Sequence, residues 1–495
     1  MENQYDVVII GAGVVGNAIA RELSKTSLNI AVLEKELDVA MGTSSRNSGV
    51  IHSGIHYKPG TLRAKLNVEG NGLMADLCRD LKVKIDYIGK LTVAQDEEEV
   101  KSLYALKDQG EANGVPGLKI LDPEAMEKIQ PRVGGIRALH SPSTGIICPY
   151  SLTIALAENA QANGCRFYLG HGVTSIQKTG DRFEIRAGNK SFSTRVLINS
   201  AGLYSDQVAR MLGITDYRIY PCRGEYLILD KRLKGALNVL VYPAPHHGKA
   251  GLGIHLTNTV SGNILIGPSN EYQEDPEDYA CTADIMAQLR REGHVLLPEL
   301  KTTDFIRSFS GLRAKQTPPE IGGFKDFVIE SREDVKGFIN LVGIESPGLT
   351  SSPAIALMVR DMVTKLLPLT LKNEFNGARP GMTGHFYELS DEEKADLVAK
   401  DPDYGEVVCR CEQITKKEVL DAIQNPLGVR TINGIKYRSR AMMGRCQGGF
   451  CLPRIVQILE KEFGYRPKDY LLKNLNSPLF SGKMRPDKTR AEGGI

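Results

Sequence analysis

Four cysteines near the C-terminal end stand in two short pairs, Cys409 and Cys411 as C-x-C and Cys446 and Cys451 as C-x-x-x-x-C, with residues 412–445 between them. Thiolates in that arrangement suit a tetrathiolate metal site, and by ligand chemistry alone either structural zinc or an iron–sulfur cluster fits. Thr415 and Glu418 have capping-box spacing, which predicts a helix just after the first pair, and Pro453 suits a helix start just after the second. Helix N-termini favour thiolates and anionic clusters, so both pairs are expected near positive dipole ends. A second chemistry is written at the other end of the chain. "YDVVIIGAGVVGNAIARELSK" is a β-branched run, then Gly11, Gly13 and Gly16 in G-x-G-x-x-G spacing, then an apolar pattern of helical period. Strand, tight turn and helix in that order present free main-chain N–H groups to a pyrophosphate. The expected contacts are Gly11, Ala12, Gly13, Val14, Val15 and Gly16. "NIAVLEKE" supplies a second strand ending in Glu34, where a carboxylate can hold the ribose hydroxyls of an adenosine.

Elements able to position these groups require a large folded chain. With 495 residues, 41% of them apolar, there is material for about three domains. Sixty-two basic residues balance 59 acidic ones to a net charge of +3, which leaves no footprint for nucleic acid. The early apolar run is short and broken by glycines, so it does not read as a signal peptide, and nothing reads as a membrane span. Nine cysteines, odd in number and partly clustered, read as reduced thiols with a metal or cluster site. A cytoplasmic protein is expected. Peripheral membrane association is left open.

"MGTSSRNSGVIHSGIHYKPG", following the second strand, resembles the second phosphate-contacting loop of the FAD-dependent D-amino-acid-oxidase-like superfamily, including glycerol 3-phosphate and L-2-hydroxyglutarate dehydrogenases. The resemblance recurs in order along residues 1 to about 370 and implies FAD as cofactor. It implies cofactor contacts at Lys35, Thr43, Ser44, Asn47 and Ser48. "GHGVTSIQ" matches the strand whose Val173 main chain meets the adenine, and "VLINSAGLYSDQVARMLG" the turn that puts Ala201 and Gly202 beside the nucleotide. "FINLVGIESPGLTSSPAIALMV" reads as strand, glycine turn and helix, with Pro353 in the first helical turn and Ser351 or Ser352 as cap. The resemblance brings Gly343, Gly348, Leu349 and Thr350 to the flavin, where the helix dipole would stabilise negative charge near N1 and O2.

The resemblance also assigns substrate chemistry. His52, at the end of the Ser/Asn-rich loop, is implied to take the substrate hydroxyl proton, with His56 the nearby competitor. His255, in "GLGIHLT", matches a position near the substrate, and Arg313, in "SFSGLRAK", follows the pattern in which an arginine meets a substrate carboxylate or phosphate. The segment from "VVCRCEQ" to "CLPRIVQIL" resembles the bacterioferritin-associated ferredoxin-like domain, which implies a 2Fe-2S cluster on Cys409, Cys411, Cys446 and Cys451.

The expected architecture is α/β. A FAD-binding Rossmann-like domain (1–80, 146–215 and 326–370) carries an inserted antiparallel α+β substrate domain (81–145 and 216–325). A linker (371–404) leads to a small helical C-terminal iron–sulfur domain (405–475) and a tail (476–495). The reaction implied is oxidation of sn-glycerol 3-phosphate, a small anionic hydroxy substrate, with electrons leaving through the cluster. L-2-hydroxyglutarate oxidation, or an electron-transfer subunit of an amino-acid or amine dehydrogenase complex, are the alternatives. Related proteins imply a second FAD- and NADH-linked subunit and a small iron–sulfur protein as partners.

Overall fold

The computed structural model describes residues 3–245, 253–382, 384–428 and 431–482. The chain divides into two compact units, Met1–Gly384 and His385–Ile495.

In the first unit the β-branched run becomes the strand Gln4–Ile10, with Val7, Val8 and Ile9 fully buried. It lies between Lys190–Asn199 and Ile30–Glu34 and is parallel to both, the arrangement expected when helices cover the two faces of a sheet. Among the described residues this sheet has eight strands, continued by Arg166–Leu169 on one side and by the hairpin Val173–Thr179 and Arg182–Ala187 on the other. The helices Val14–Leu23 and Gly348–Leu366 pack together beside it.

A second sheet, of nine described strands, is built from two separated parts of the chain. Its longest pairing runs between Tyr220–Leu229 and Phe305–Lys315, antiparallel and in near-continuous register. The sheet is antiparallel except at one seam, where Leu240–Pro243 lies parallel to Lys90–Ala94. No hairpin joins those two strands, so nothing in the local chain forces them to run in opposite directions. At this seam Lys90 faces the same region as Tyr242 and His255.

The helix expected to begin near Ser351 starts earlier, at Gly348, with Pro347 at its cap position. Ser351 and Ser352 are buried inside it, and Pro353 is interior. Proline lacks the N–H that would reach the carbonyl four residues back. Here the Ser352 hydroxyl donates to that carbonyl, Leu349 O, at 2.9 Å, so the missing bond is replaced by the neighbouring side chain.

The second unit is small and helical. Its core gathers Val408, Ile414, Val419, Ile435, Ile455 and Leu459. The capping box read from the sequence, Thr415 with Glu418, is formed, and Ser390 with Glu393 makes another. Residues 385–404, including the helix Asp391–Lys400, fall within this unit. The tail expected from 476 is described as far as 482, and the rest lies outside the described residues.

Candidate active site

A cavity of about 960 Å3 runs through the first unit, from the glycine turn to the seam of the second sheet. At its nucleotide end the wall is mostly main chain. Gly11 has φ +100°, and a Cβ there would stand 2.7 Å from Ser200 O. At Gly16 a Cβ would come within 2.0 Å of Gly11 O, so only glycine lets the helix close on the strand. The carboxylate of Glu34 accepts from Ala12 N at 2.7 Å and Glu36 N at 2.9 Å. Burial raises its pKa, and these two N–H groups act in the opposite direction. Each oxygen keeps a lone pair able to receive a hydroxyl.

The Ser/Asn-rich loop is stitched both to the turn and to the strand Phe305–Lys315. Val14 N donates to Ser44 Oγ at 2.9 Å, and the Thr43 hydroxyl donates to Leu312 O at 2.7 Å. Asn47 ties the loop to itself, donating to Ser44 O at 3.1 Å and accepting from Gly49 N at 2.9 Å. Ser48 bonds the Tyr226 hydroxyl. Lys35 donates to the Tyr204 hydroxyl at 3.0 Å and pairs with Glu277.

Val173, Ala201, Gly202, Gly348 and Leu349 line the same cavity, whereas Gly16, Gly343 and Thr350 do not. Those three act from behind. Gly16 makes room for packing, and Gly343, at φ +69°, passes the Gln316 side chain, which a Cβ would meet at 2.1 Å. Thr350 accepts from His52 N at 3.0 Å. A glycine cradle, main-chain donors and a carboxylate at one end of a long cavity fit FAD.

The substrate end is made of side chains. His52 lies with Nε2 3.4 Å from Ser346 Oγ, and its buried Nδ1 has no hydrogen-bond partner among the described residues. Burial, then the charge of Lys90 and the neighbouring His255, lowers its pKa to about 3, so the ring is neutral at physiological pH. His255 sits on Tyr242, centroids 3.7 Å apart, with Nδ1 2.9 Å from Gly253 O. Burial takes its pKa to about 4. Arg313 donates to Ser269 O at 3.2 Å and touches Cys222 Sγ at 3.9 Å, and makes no ion pair among the described residues. Gly224 accommodates it, since a Cβ there would stand 2.7 Å from Arg313 Nη2. An unpaired guanidinium beside a neutral imidazole can bind an anion and accept a proton in one place.

Several groups here went unnoticed in the sequence: Lys90, Tyr242, Tyr57 and Glu345. Tyr57 OH lies 3.4 Å from Ser346 Oγ, and Glu345 bridges Arg63 and Lys315 at 3.5 and 3.9 Å. Lys90 carried one local signal, a lysine opening the mostly apolar run "KLTVA", which the structure buries throughout. The tyrosines carried none.

In the second unit Cys409 ends the strand Val407–Cys409 and Cys451 is the first residue of the helix Cys451–Phe463, which therefore starts at the second pair and not after it. The four thiols meet as two couples, Cys409 with Cys451 and Cys411 with Cys446. Among the described residues no three ligand side chains converge as a single metal ion requires. Two couples side by side suit a dinuclear cluster, in which each iron takes two thiolates. The Cys451 thiol, with main-chain N–H groups of Met442 and Glu412, lowers the Cys409 pKa to about 6. The N–H of Phe450 lowers that of Cys446. Gly444 is needed for closure, because a Cβ there would stand 2.3 Å from Cys411 Cβ. The thiols and their N–H donors fit a 2Fe-2S cluster.

Comparison with known proteins agrees with both sites. Residues 6–362 match the FAD dependent oxidoreductase family, and residues 407–461 the BFD-like 2Fe-2S binding domain. The chain belongs to the FAD dependent oxidoreductase family, and its cofactors are FAD and a 2Fe-2S cluster. It is 42% identical over 463 residues to the glycerol 3-phosphate dehydrogenase of Caloramator mitchellensis, covering 93% of this chain and 95% of that one. It is 33% identical to the mitochondrial L-2-hydroxyglutarate dehydrogenase of Caenorhabditis briggsae, over 72% of this chain and 92% of the relative. Among solved structures, FAD-bound L-alpha-glycerophosphate oxidase from Mycoplasma pneumoniae superposes with a TM-score of 0.70 at 31% identity, covering 76% of this chain and 98% of that one. No described helix is long and apolar enough to cross a membrane.

Proposed function

We propose that the protein oxidises sn-glycerol 3-phosphate to dihydroxyacetone phosphate and passes the electrons through its cluster to a protein acceptor other than oxygen. One observation carries this reading: a neutral imidazole, His52, and an unpaired guanidinium, Arg313, line one cavity with the nucleotide grip. The 42% identity to a glycerol 3-phosphate dehydrogenase supports it.

When bound, FAD supplies a hydride acceptor and the cluster a one-electron outlet. Arg313 receives the phosphate through paired N–H donors, which fixes the orientation of the carbon chain. His52 accepts the C2 hydroxyl proton as the C2–H bond breaks, and Ser346 fixes its ring through Nε2. His255, held flat on Tyr242, closes the wall between them. The electron acceptor is a partner chain, the second FAD- and NADH-linked subunit and small iron–sulfur protein implied by the family resemblance.

A second reading, oxidation of L-2-hydroxyglutarate, draws on Lys315, a further cation on the same cavity wall that could meet a second carboxylate. Anaerobic titration of the holoprotein separates the two. Glycerol 3-phosphate should bleach the flavin and then the cluster, while L-2-hydroxyglutarate leaves both unchanged; the reverse result defeats the proposal. His52→Ala, with flavin content intact, should slow bleaching by about 100-fold to 10,000-fold.

A further inference from the structure

Lys90 is 1% exposed, at the start of the strand Lys90–Ala94, behind the cavity wall. A buried ammonium ordinarily has a carboxylate beside it. This one has none in ion-pair contact among the described residues. Its Nζ instead lies 3.0 Å from His56 Nε2 and over the Tyr242 ring at 4.9 Å. His56 itself lines the cavity. With Nε2 engaged from behind by Lys90, Nδ1 is the remaining polar atom of that ring.

Two of the proton arrangements that satisfy the contact differ in what Nδ1 presents to the cavity. An ammonium at Lys90 donates to Nε2, which puts the imidazole proton on Nδ1 and makes that atom a donor. A neutral amine at Lys90 instead accepts from Nε2–H, and Nδ1 becomes an acceptor. The two states differ by one proton and by the sign of what His56 offers. An anion in the cavity favours the first.

We propose that Lys90 and His56 form a charge-holding pair in which protonated Lys90 fixes His56 as an Nδ1–H donor to an anionic substrate, leaving His52 as the proton acceptor. Lys90 is then a positioning residue acting through His56. This rests on reading the cavity as an anion-binding dehydrogenase site. It also separates the two histidines of one loop by physics: a ring whose far nitrogen is occupied by an ammonium cannot take a second proton there, whereas among the described residues the hydrogen-bond contact of the His52 ring is with the Ser346 hydroxyl and not with a cation.

Among the described residues, the charged and titratable groups facing the pair are His52, His255 and Tyr242. His52 and His255 are neutral throughout the neutral range, with pKa values lowered to about 3 and about 4, and burial raises that of Tyr242. Burial brings Lys90 down to about 7, so of these groups the pair is the one that changes charge near neutrality. Anion binding should therefore take up a proton above that pH, and affinity should fall roughly tenfold per pH unit there.

The test uses the holoenzyme and sulfate, a dianion throughout the range, with binding followed by perturbation of the flavin spectrum from about pH 6 to about pH 9. Wild type should bind sulfate more weakly as pH rises through neutrality. Lys90→Met, which replaces a buried cation by an apolar side chain of similar length, should bind sulfate about 30-fold more weakly at the acidic end and with no slope. Lys90→Arg should restore affinity and hold it constant to the alkaline end, because guanidinium does not titrate there. With glycerol 3-phosphate the Met variant should raise KM by a similar factor while changing kcat less than about threefold. Sulfate binding that is absent from wild type, or unchanged in affinity and slope by Lys90→Met, overturns the pair. A lack of turnover with glycerol 3-phosphate while sulfate binding still depends on Lys90 overturns the substrate assignment and leaves the pair standing.

Discussion

At the nucleotide end of the cavity the ligand-facing groups are mostly main-chain atoms of one turn and one helix start, whereas at the other end they are side chains from five separate stretches of chain, around residues 52–57, 242, 255, 313 and 346. The first kind of site needs space, and space is encoded by glycine at fixed intervals. The second needs convergence, which no local interval encodes. The two ends also differ in electrostatics. The grip offers N–H dipoles already oriented by secondary structure, while the far end holds neutral imidazoles and cations out of water, where small changes in proton number alter what the wall can bind.

That contrast can be broken most strongly at Gly16. Gly16→Val places a side chain where even a Cβ would stand 2.0 Å from Gly11 O, and the helix must move off the strand. Loss of bound flavin and destabilisation by more than about 3 kcal/mol are expected, measured by flavin absorbance and urea unfolding. Retained flavin would mean that the turn is looser than its geometry states.

A smaller effect distinguishes the substrate end by pH. His52 and His255 have folded pKa values of about 3 and about 4 against 6.5 ordinarily. Between those limits the unfolded chain binds protons that the folded one refuses. Stability is therefore full above pH 6.5 and is lost as pH falls through the folded values, at up to about 1.4 kcal/mol per pH unit for each ring. Thermal unfolding of His52→Asn should show a visibly shallower acid dependence than wild type; parallel curves would count against a buried neutral imidazole.

The smallest effect concerns the helix between the two ends. Ser352→Ala removes the hydroxyl that replaces the bond Pro353 cannot make, leaving Leu349 O unsatisfied. A loss of about 1 kcal/mol in urea unfolding is expected, with flavin content unchanged.

Legibility followed the same division. Glu34 was readable because a carboxylate at the end of the second strand must reach the turn, and Ala12 N does bond it. The helix after Pro347 starts several residues before the position that Ser and Pro, as strong cap signals, predict, because both residue types lie inside it. His56 could be read only as a rival base. Its partner Lys90 is distant in sequence and meets it across the loop and the sheet seam. The cysteine unit was open to the eye because short spacings and caps are local, yet the coupling of Cys409 with Cys451 and of Cys411 with Cys446 emerged only when the strand and helix were brought together.

By itself the sequence determined where a dinucleotide would be gripped and which four thiols would gather, since glycine spacing, helix caps and strand alternation act over one or two turns of chain. Among the described residues, tertiary structure decided which histidine ring meets a lysine and which meets a serine, which lysine is stripped of water without a counter-charge, and that Arg313 has no ion pair. Those properties depend on burial and on neighbours contributed by distant strands, and desolvation is a property of a place in the fold, not of a residue in a string.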